Sequence, residues 1–261
     1  GNKLVDISIP GDLQDRIDEI REALKEAVAE TDEALMEKFF EGEEFTPEEI
    51  QKGLCLGIAD GSIVPVFCGS AASNLGIHLL MDAIIEYMPA PNAKPTVKAK
   101  KPGSDDVIEL KASPDGDLSV FVFKTIADPF VGKISMFRVY SGTLKSDSVV
   151  YNSNSEKTEK ISQLFMLRGK KQIPVDALIA GDIGAAAKLQ FTNTNDTLCN
   201  QAKPVVLDKI EFPEPALSLA VEPKAKGDEE KIKAGLKRLQ EEDPTFKVEM
   251  NNETRQILIS G

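Results

Sequence analysis

One short stretch constrains this chain most: Met88-Pro89-Ala90-Pro91, with Pro95 close behind. No helix continues through such a run, because each proline lacks an amide donor and its ring crowds the preceding turn. Before it the apolar residues recur at helical spacing; after it, from Ser119, they alternate with period two. The break therefore reads as a linker between differently built domains. At 261 residues there is room for two or three of them, each with its own core.

Upstream, residues 12–41 carry Leu13, Ile17, Ile20 and Leu24 on one helical face, with Asp, Glu and Arg opposite. Thr31-Asp32-Glu33 offers a restart, Leu35, Met36 and Phe39 continue the stripe, and Gly42 suits a stop. Thr46-Pro47-Glu48-Glu49 has the composition of a new helix start: an N-cap, a proline at the first helical position, and acids in the first turn. The result is a small acidic helical unit, read from pattern alone as a solvated helical hairpin. Val64–Phe67 reads as a short buried strand, 69–74 as a small-residue loop, and Gly76–Met88 as a helix. Leu79, Leu80, Ala83, Ile84 and Tyr87 line the apolar side of that helix. A loop at the end of a strand is where α/β proteins place ligands.

Downstream, SVFVFKTIA and ISMFRVY are strand-like. Turn signals follow at short intervals: Asp128-Pro129, Ser141-Gly142, Asn152-Ser153-Asn154, Arg168-Gly169 and Ala180-Gly181-Asp182. Many short strands so punctuated predict a closed β-barrel. After Pro213 and Pro215 the order is strand, helix (Asp228–Glu242, with Ile232, Leu236 and Leu239 inward), strand, strand. That is most of one ferredoxin-like split βαβ unit. Because a half-unit leaves an apolar sheet face uncovered, the expectation is a piece cut from a longer protein.

The net charge is −12, spread unevenly: −11 over residues 1–60 and +3 over 96–210. Whole-chain acidity therefore does not exclude an anionic partner for the middle segment. Cys55, Cys68 and Cys199 are odd in number and widely spaced, which fits reduced thiols better than disulfides or a metal. With His78 the only histidine, a His-based zinc site or a Ser-His-Asp triad has little to be built from. No apolar run is long enough to span a bilayer.

The ordered strings CGSA, MPAP, DPFVGKISMFRVYSGTLKSD, AGDIGAAAKLQ, DTLC, FPEPALSLAVEPK and LQEEDPTF resemble bacterial elongation factor G across nearly the whole chain. The resemblance implies a multidomain α/β plus all-β fold. Residues 1–92 would be the end of a P-loop GTPase domain with an acidic helical insertion. Residues 93–212 would be the translational-GTPase β-barrel, and 213–261 the first half of a ferredoxin-like α+β domain. The resemblance also implies a cytoplasmic monomer with no membrane contact.

Ser70, Ala71 and Ala72 then match the loop that borders guanine. Small side chains let backbone amides approach the guanine carbonyl. Ala72 stands where the family usually has a larger residue. The phosphate loop G-x-x-x-x-G-K-[ST] does not occur in the chain, nor does N-K-x-D. Catalytic and metal residues are accordingly expected elsewhere in a full-length parent. That parent would bind GTP or GDP with Mg²⁺, whereas this piece would bind none. His78 does not match the family's water-positioning histidine.

The barrel would rest on small-subunit ribosomal RNA. Arg168, Lys170 and Lys171 are the leading candidate contacts, with Lys133 and Lys145 weaker ones. The acidic helices would face the ribosomal stalk protein. The leading reading is a translocation GTPase that couples GTP hydrolysis to tRNA–mRNA movement, this piece alone being inactive. The alternatives are a ribosome-protection, release or recycling GTPase, and a non-enzymatic ribosome-binding barrel. Asn195 stands where the typical factor has Gly before Asp-Thr-Leu. Asparagine tolerates left-handed backbone, so the turn is expected to survive.

Overall fold

The computed structural model describes residues 8–128, 131–169, 171–223, 227–251, 253, 254 and 256–261. The chain divides into two compact units, Gly1–Ala93 and Lys94–Gly261.

The first unit is helical. Helices α1 (Gln14–Ala29), α2 (Glu33–Phe40) and α3 (Pro47–Asp60) enclose a small core of Val28, Ala29, Leu35 and Phe45. Local chemistry sets their ends. Asp32 caps α2 by accepting from the Ala34 amide at 3.0 Å. Thr46 and Glu49 form a reciprocal capping box on α3, Pro47 opens that helix, and left-handed Gly61 (φ 87°) closes it. Lys52 on Asp32 (2.7 Å) and Lys38 on Glu49 (2.9 Å) tie the helices together at the surface. Hydrogen bonds from these lysines, then from backbone amides, hold both carboxyls below their ordinary pKa. Of the α1 stripe, Ile17 is half-buried while Leu13, Ile20 and Leu24 lie exposed.

Two sequence expectations are corrected here. Val64–Phe67 is not a buried strand: Val64 and Val66 are 76% and 86% exposed, and no ladder partner runs beside them among the described residues. A strand is buried by its neighbours, and period alone does not supply them. Helix α4 (Ile77–Tyr87) forms as expected, yet only Ala83 of its apolar side is buried; Leu79 and Ile84 are exposed.

The second unit holds the barrel. Hairpin β1 (Thr96–Lys100) and β2 (Val107–Lys111) precedes the long hairpin β3 (Ser119–Asp128) and β4 (Gly132–Ser141). Then come β5 (Thr143–Lys145), β6 (Ser148–Asn152), β7 (Lys157–Ile161), β8 (Leu164–Arg168) and β9 (Lys171–Val175). The last three are β10 (Ala177–Ile179), β11 (Ile183–Ala187) and β12 (Thr197–Cys199). One sheet runs β7-β6-β12-β3-β4-β11-β8-β9, and β5 with β10 forms a separate ladder. The sheet curls without closing its ladder, since β7 and β9 are not hydrogen-bonded to each other. It nonetheless encloses one core. Val120, Val122, Phe137, Val139, Leu144, Val150, Ile161, Leu164, Leu178, Ala186, Leu189 and Leu198 converge from every strand between β3 and β8 and between β10 and β12. Each large side chain so buried contributes about 1.5–3 kcal/mol.

Beyond the barrel, β13 (Ser218–Val221), α5 (Glu229–Glu242), β14 (Lys247–Met250) and β15 (Ile257–Ser260) follow in the expected β-α-β-β order. The sheet order is β13-β15-β14, antiparallel throughout. On α5, Ile232 and Leu236 are half-buried, but Leu239 is exposed rather than inward.

Asn195 has φ 75°, so the turn keeps the left-handed geometry. Its side chain does more than tolerate that geometry: the amide donates to the Ile210 carbonyl and accepts from the Ile210 amide, both at 2.9 Å. The variant Asn195→Gly is expected to keep the turn and release this clamp. It should cost about 1 kcal/mol and speed exchange of the Ile210 amide, read by hydrogen–deuterium exchange. An unchanged Ile210 rate would show that the clamp holds nothing.

Candidate functional site

The loop after residue 69 is closed by a two-way backbone bridge between Ser70 and Leu75, both bonds 3.0 Å. Asn74 (φ 52°) and Gly76 (φ 72°) take left-handed backbone to turn it into α4. A Cβ on Gly69 would lie 2.9 Å from the Leu75 carbonyl oxygen, so only glycine allows the two sides this close. The Ser70 hydroxyl accepts from the Ser73 amide at 3.3 Å. Ala71 and Ala72 are exposed, and their amides have no protein acceptor among the described residues. The loop thus presents unused donors flanked by methyl groups. Among the described residues, no three His, Cys, Asp or Glu side chains converge as metal ligands would.

The structure separates the four candidate cations that it describes. Arg168 and Lys171 face each other across the β8–β9 hairpin, both exposed, beside left-handed Gly169. Neither makes an ion pair among the described residues. Lys170 lies outside the described residues. Lys145 is exposed but sits on β5 opposite Ala177. Lys133 is half-buried, and its ammonium donates to Asn193 Oδ1 at 2.8 Å. Burial lowers its pKa, an effect opposed by Glu241, Asp196 and Glu159 nearby. It is an internal tether rather than a free surface cation.

That tether borders a contact the sequence did not reveal. Strand β12 pairs with β3 only over Ser119–Phe121, which leaves the far edge of β3 open. The Ala127 amide on that edge donates to Glu242 Oε1 at 2.7 Å. An unpaired edge amide finds a carboxylate from the end of α5, which blunts the edge. Beside it, Asn193, Thr194, Lys237, Gln240, Glu241 and Pro244 line an open polar cleft of about 310 Å³. The variant Glu242→Ala is expected to weaken α5 docking by about 1.5–3 kcal/mol, and Glu242→Gln by less. Amide exchange at Ala127 reports both; equal protection in all three proteins would contradict the assignment.

Inside the barrel, two buried polar side chains fix the loop that carries Asn193. Asn152 bonds Phe191, Thr192 and Asp196 through its amide nitrogen, and the Asn154 and Ser155 amides through its oxygen. Glu159 accepts from the Gln190 and Phe191 amides and from the Thr192 hydroxyl. In the sequence Asn152 signals only a turn and Glu159 only a polar residue in a strand. What they do depends on a loop far along the chain.

Comparison with known proteins accords with this architecture. Residues 117–201 match the model of elongation factor G domain 2, and residues 212–261 match that of elongation factor G, domain III. A protein of Thermus thermophilus known from its crystal structure is similar at 28% identity and a TM-score of 0.76. The match covers 98% of this chain and 36% of that one, so this chain spans about a third of its length. The two matched domains follow one another in order over just over half of the sequence, and the chain belongs to the elongation factor G family.

Proposed function

We propose that this chain is the docking and coupling part of a ribosomal translocation GTPase, a factor that couples GTP hydrolysis to movement of tRNA and mRNA. One observation carries the reading: domain 2 and domain III of elongation factor G stand in order in a single chain. The barrel would rest on small-subunit RNA through the exposed Arg168–Lys171 pair, and the acidic helices would face the stalk protein. The charge of −11 over residues 1–60 and the exposed Leu13, Ile20 and Leu24 support that second surface.

Residues 1–92 are proposed to close a GTPase domain. The exposed apolar side of α4 and the Val64–Phe67 segment, unpaired among the described residues, suit a sheet supplied from elsewhere in such a domain. The amides of Ala71 and Ala72 fit the carbonyl edge of guanine, and their methyl groups leave space for the ring. Binding of the phosphates and Mg²⁺ would fall to other residues, since phosphoryl transfer needs contacts this loop does not offer. The factor would act in the cytoplasm, and no helix among the described residues is long and apolar enough to cross a membrane.

The test is toeprinting of stalled pre-translocation ribosomes with GTP and the whole protein that carries this chain. An advance of the mRNA by one codon is expected. GTP hydrolysis without advance would replace translocation by ribosome protection or recycling.

A further inference from the structure

No described residue from 208 to 261 is buried, so no apolar core fixes the C-terminal β-α-β-β unit to the barrel. Polar contacts hold it instead, and they gather on and beside one loop, residues 190–196. That loop is built firmly into the barrel. Asn152 and Glu159 hold it from inside. Its Asn195 amide donates to the Val122 carbonyl at 2.8 Å, and its Asp196 carbonyl accepts from the Val122 amide at 2.9 Å. The Thr194 hydroxyl donates to that of Thr125 at 3.1 Å, on the same strand as the Ala127 amide that Glu242 accepts from.

Among the described residues, two attachments run from this place to the C-terminal unit. One is the linker, which Asn195 clamps through both the amide and the carbonyl of Ile210. Between Ile210 and β13 the linker is short and carries Pro213 and Pro215, which restrict its backbone, and its Glu214 pairs with Lys247 on β14. The other is α5, whose last turns set Lys237, Gln240 and Glu241 across the cleft from Asn193 and Thr194, with Glu242 on Ala127. We infer that the 190–196 loop is the joint that sets the orientation of the C-terminal unit on the barrel, its linker seat and its helix seat opening and closing together. A body held at one polar seat pivots about it. A second seat, reached through a proline-stiffened linker, removes that freedom. Each contact holds the partners of the other at high effective concentration, so losing one seat weakens the other without touching it.

The test is amide hydrogen exchange of the 261-residue chain with two reporters. The Ile210 amide reads the linker seat and the Ala127 amide reads the helix seat. Asn195→Gly breaks only the first seat, and Glu242→Ala breaks only the second. Each variant is expected to speed exchange by about threefold or more at the reporter it does not touch. Glu242→Gln, which keeps the size of the side chain, should act in the same direction by less. The Val139 amide, bonded to the Asp182 carbonyl within the barrel, should keep its wild-type rate in all of them. Exchange sped only at each variant's own reporter would overturn the inference, the two seats then being independent. Equal acceleration at Val139 would also overturn it, because the barrel as a whole, rather than the joint, would have loosened.

Discussion

Replacing Asn152 by alanine is expected to destabilise the barrel by about 3–4 kcal/mol, as much as emptying a large core position, although the side chain is small. The reason is the number of groups it satisfies. Its amide nitrogen serves the Phe191 carbonyl, the Thr192 hydroxyl and the Asp196 carboxylate, and its oxygen serves two amides of the β6–β7 turn. The residue is fully buried, so water cannot replace it. Each group left unpaired in such a place costs about 1–3 kcal/mol. Asn152→Asp keeps the oxygen contacts and puts a second carboxylate beside Asp196; it should lose nearly as much. Thermal unfolding should show the barrel transition lowered by roughly 10 °C for Asn152→Ala. A shift under about 2 °C would mean that the 190–196 loop is held by other contacts.

The second large effect is on binding. Reversing both charges of the hairpin tip, Arg168→Glu with Lys171→Glu, is expected to weaken attachment to small ribosomal subunits at least tenfold at low salt. The slope of log affinity against log salt should flatten by about 1.5–2, because two phosphate neutralisations are removed. Folding should be unaffected, since both side chains are exposed and outside any ion pair among the described residues. The same reversal at Lys133 should act on stability instead, because that ammonium is half-buried against Asn193. Binding and slope unchanged in the tip variant would remove the hairpin from the interface.

Much of this fold is written in local signals. The start of α3 is legible from Thr46, Pro47 and Glu49, because a capping box is made by residues three apart. The left-handed turn at Asn195 is legible because backbone tolerance is a property of the residue itself. The β-α-β-β order after Pro213 follows from the change of period. What was not legible is set by neighbours distant in sequence. Val64–Phe67 has the composition of a buried strand, and no strand lies beside it among the described residues. Lys133 and Arg168 look alike as basic residues among strands, yet one is tethered inside a polar cluster and the other stands exposed at a hairpin tip. Glu242 sits in an ordinary acidic helix end, and its role appears only where the β3 edge is left open by the shortness of β12. The loop over 69–76 is intermediate: its small residues announce a tight turn, and the proposed guanine contact comes from the family resemblance.

Docking of this chain on ribosomes is the most direct consequence of the proposed function. The measurement is sedimentation of the purified 261-residue chain with 70S ribosomes at rising salt, with circular dichroism to establish that it is folded. The chain is expected to travel with the ribosomes at low salt and to be released progressively as salt rises, as a contact made through phosphates must be. A folded chain that stays in the supernatant at every salt concentration would contradict it.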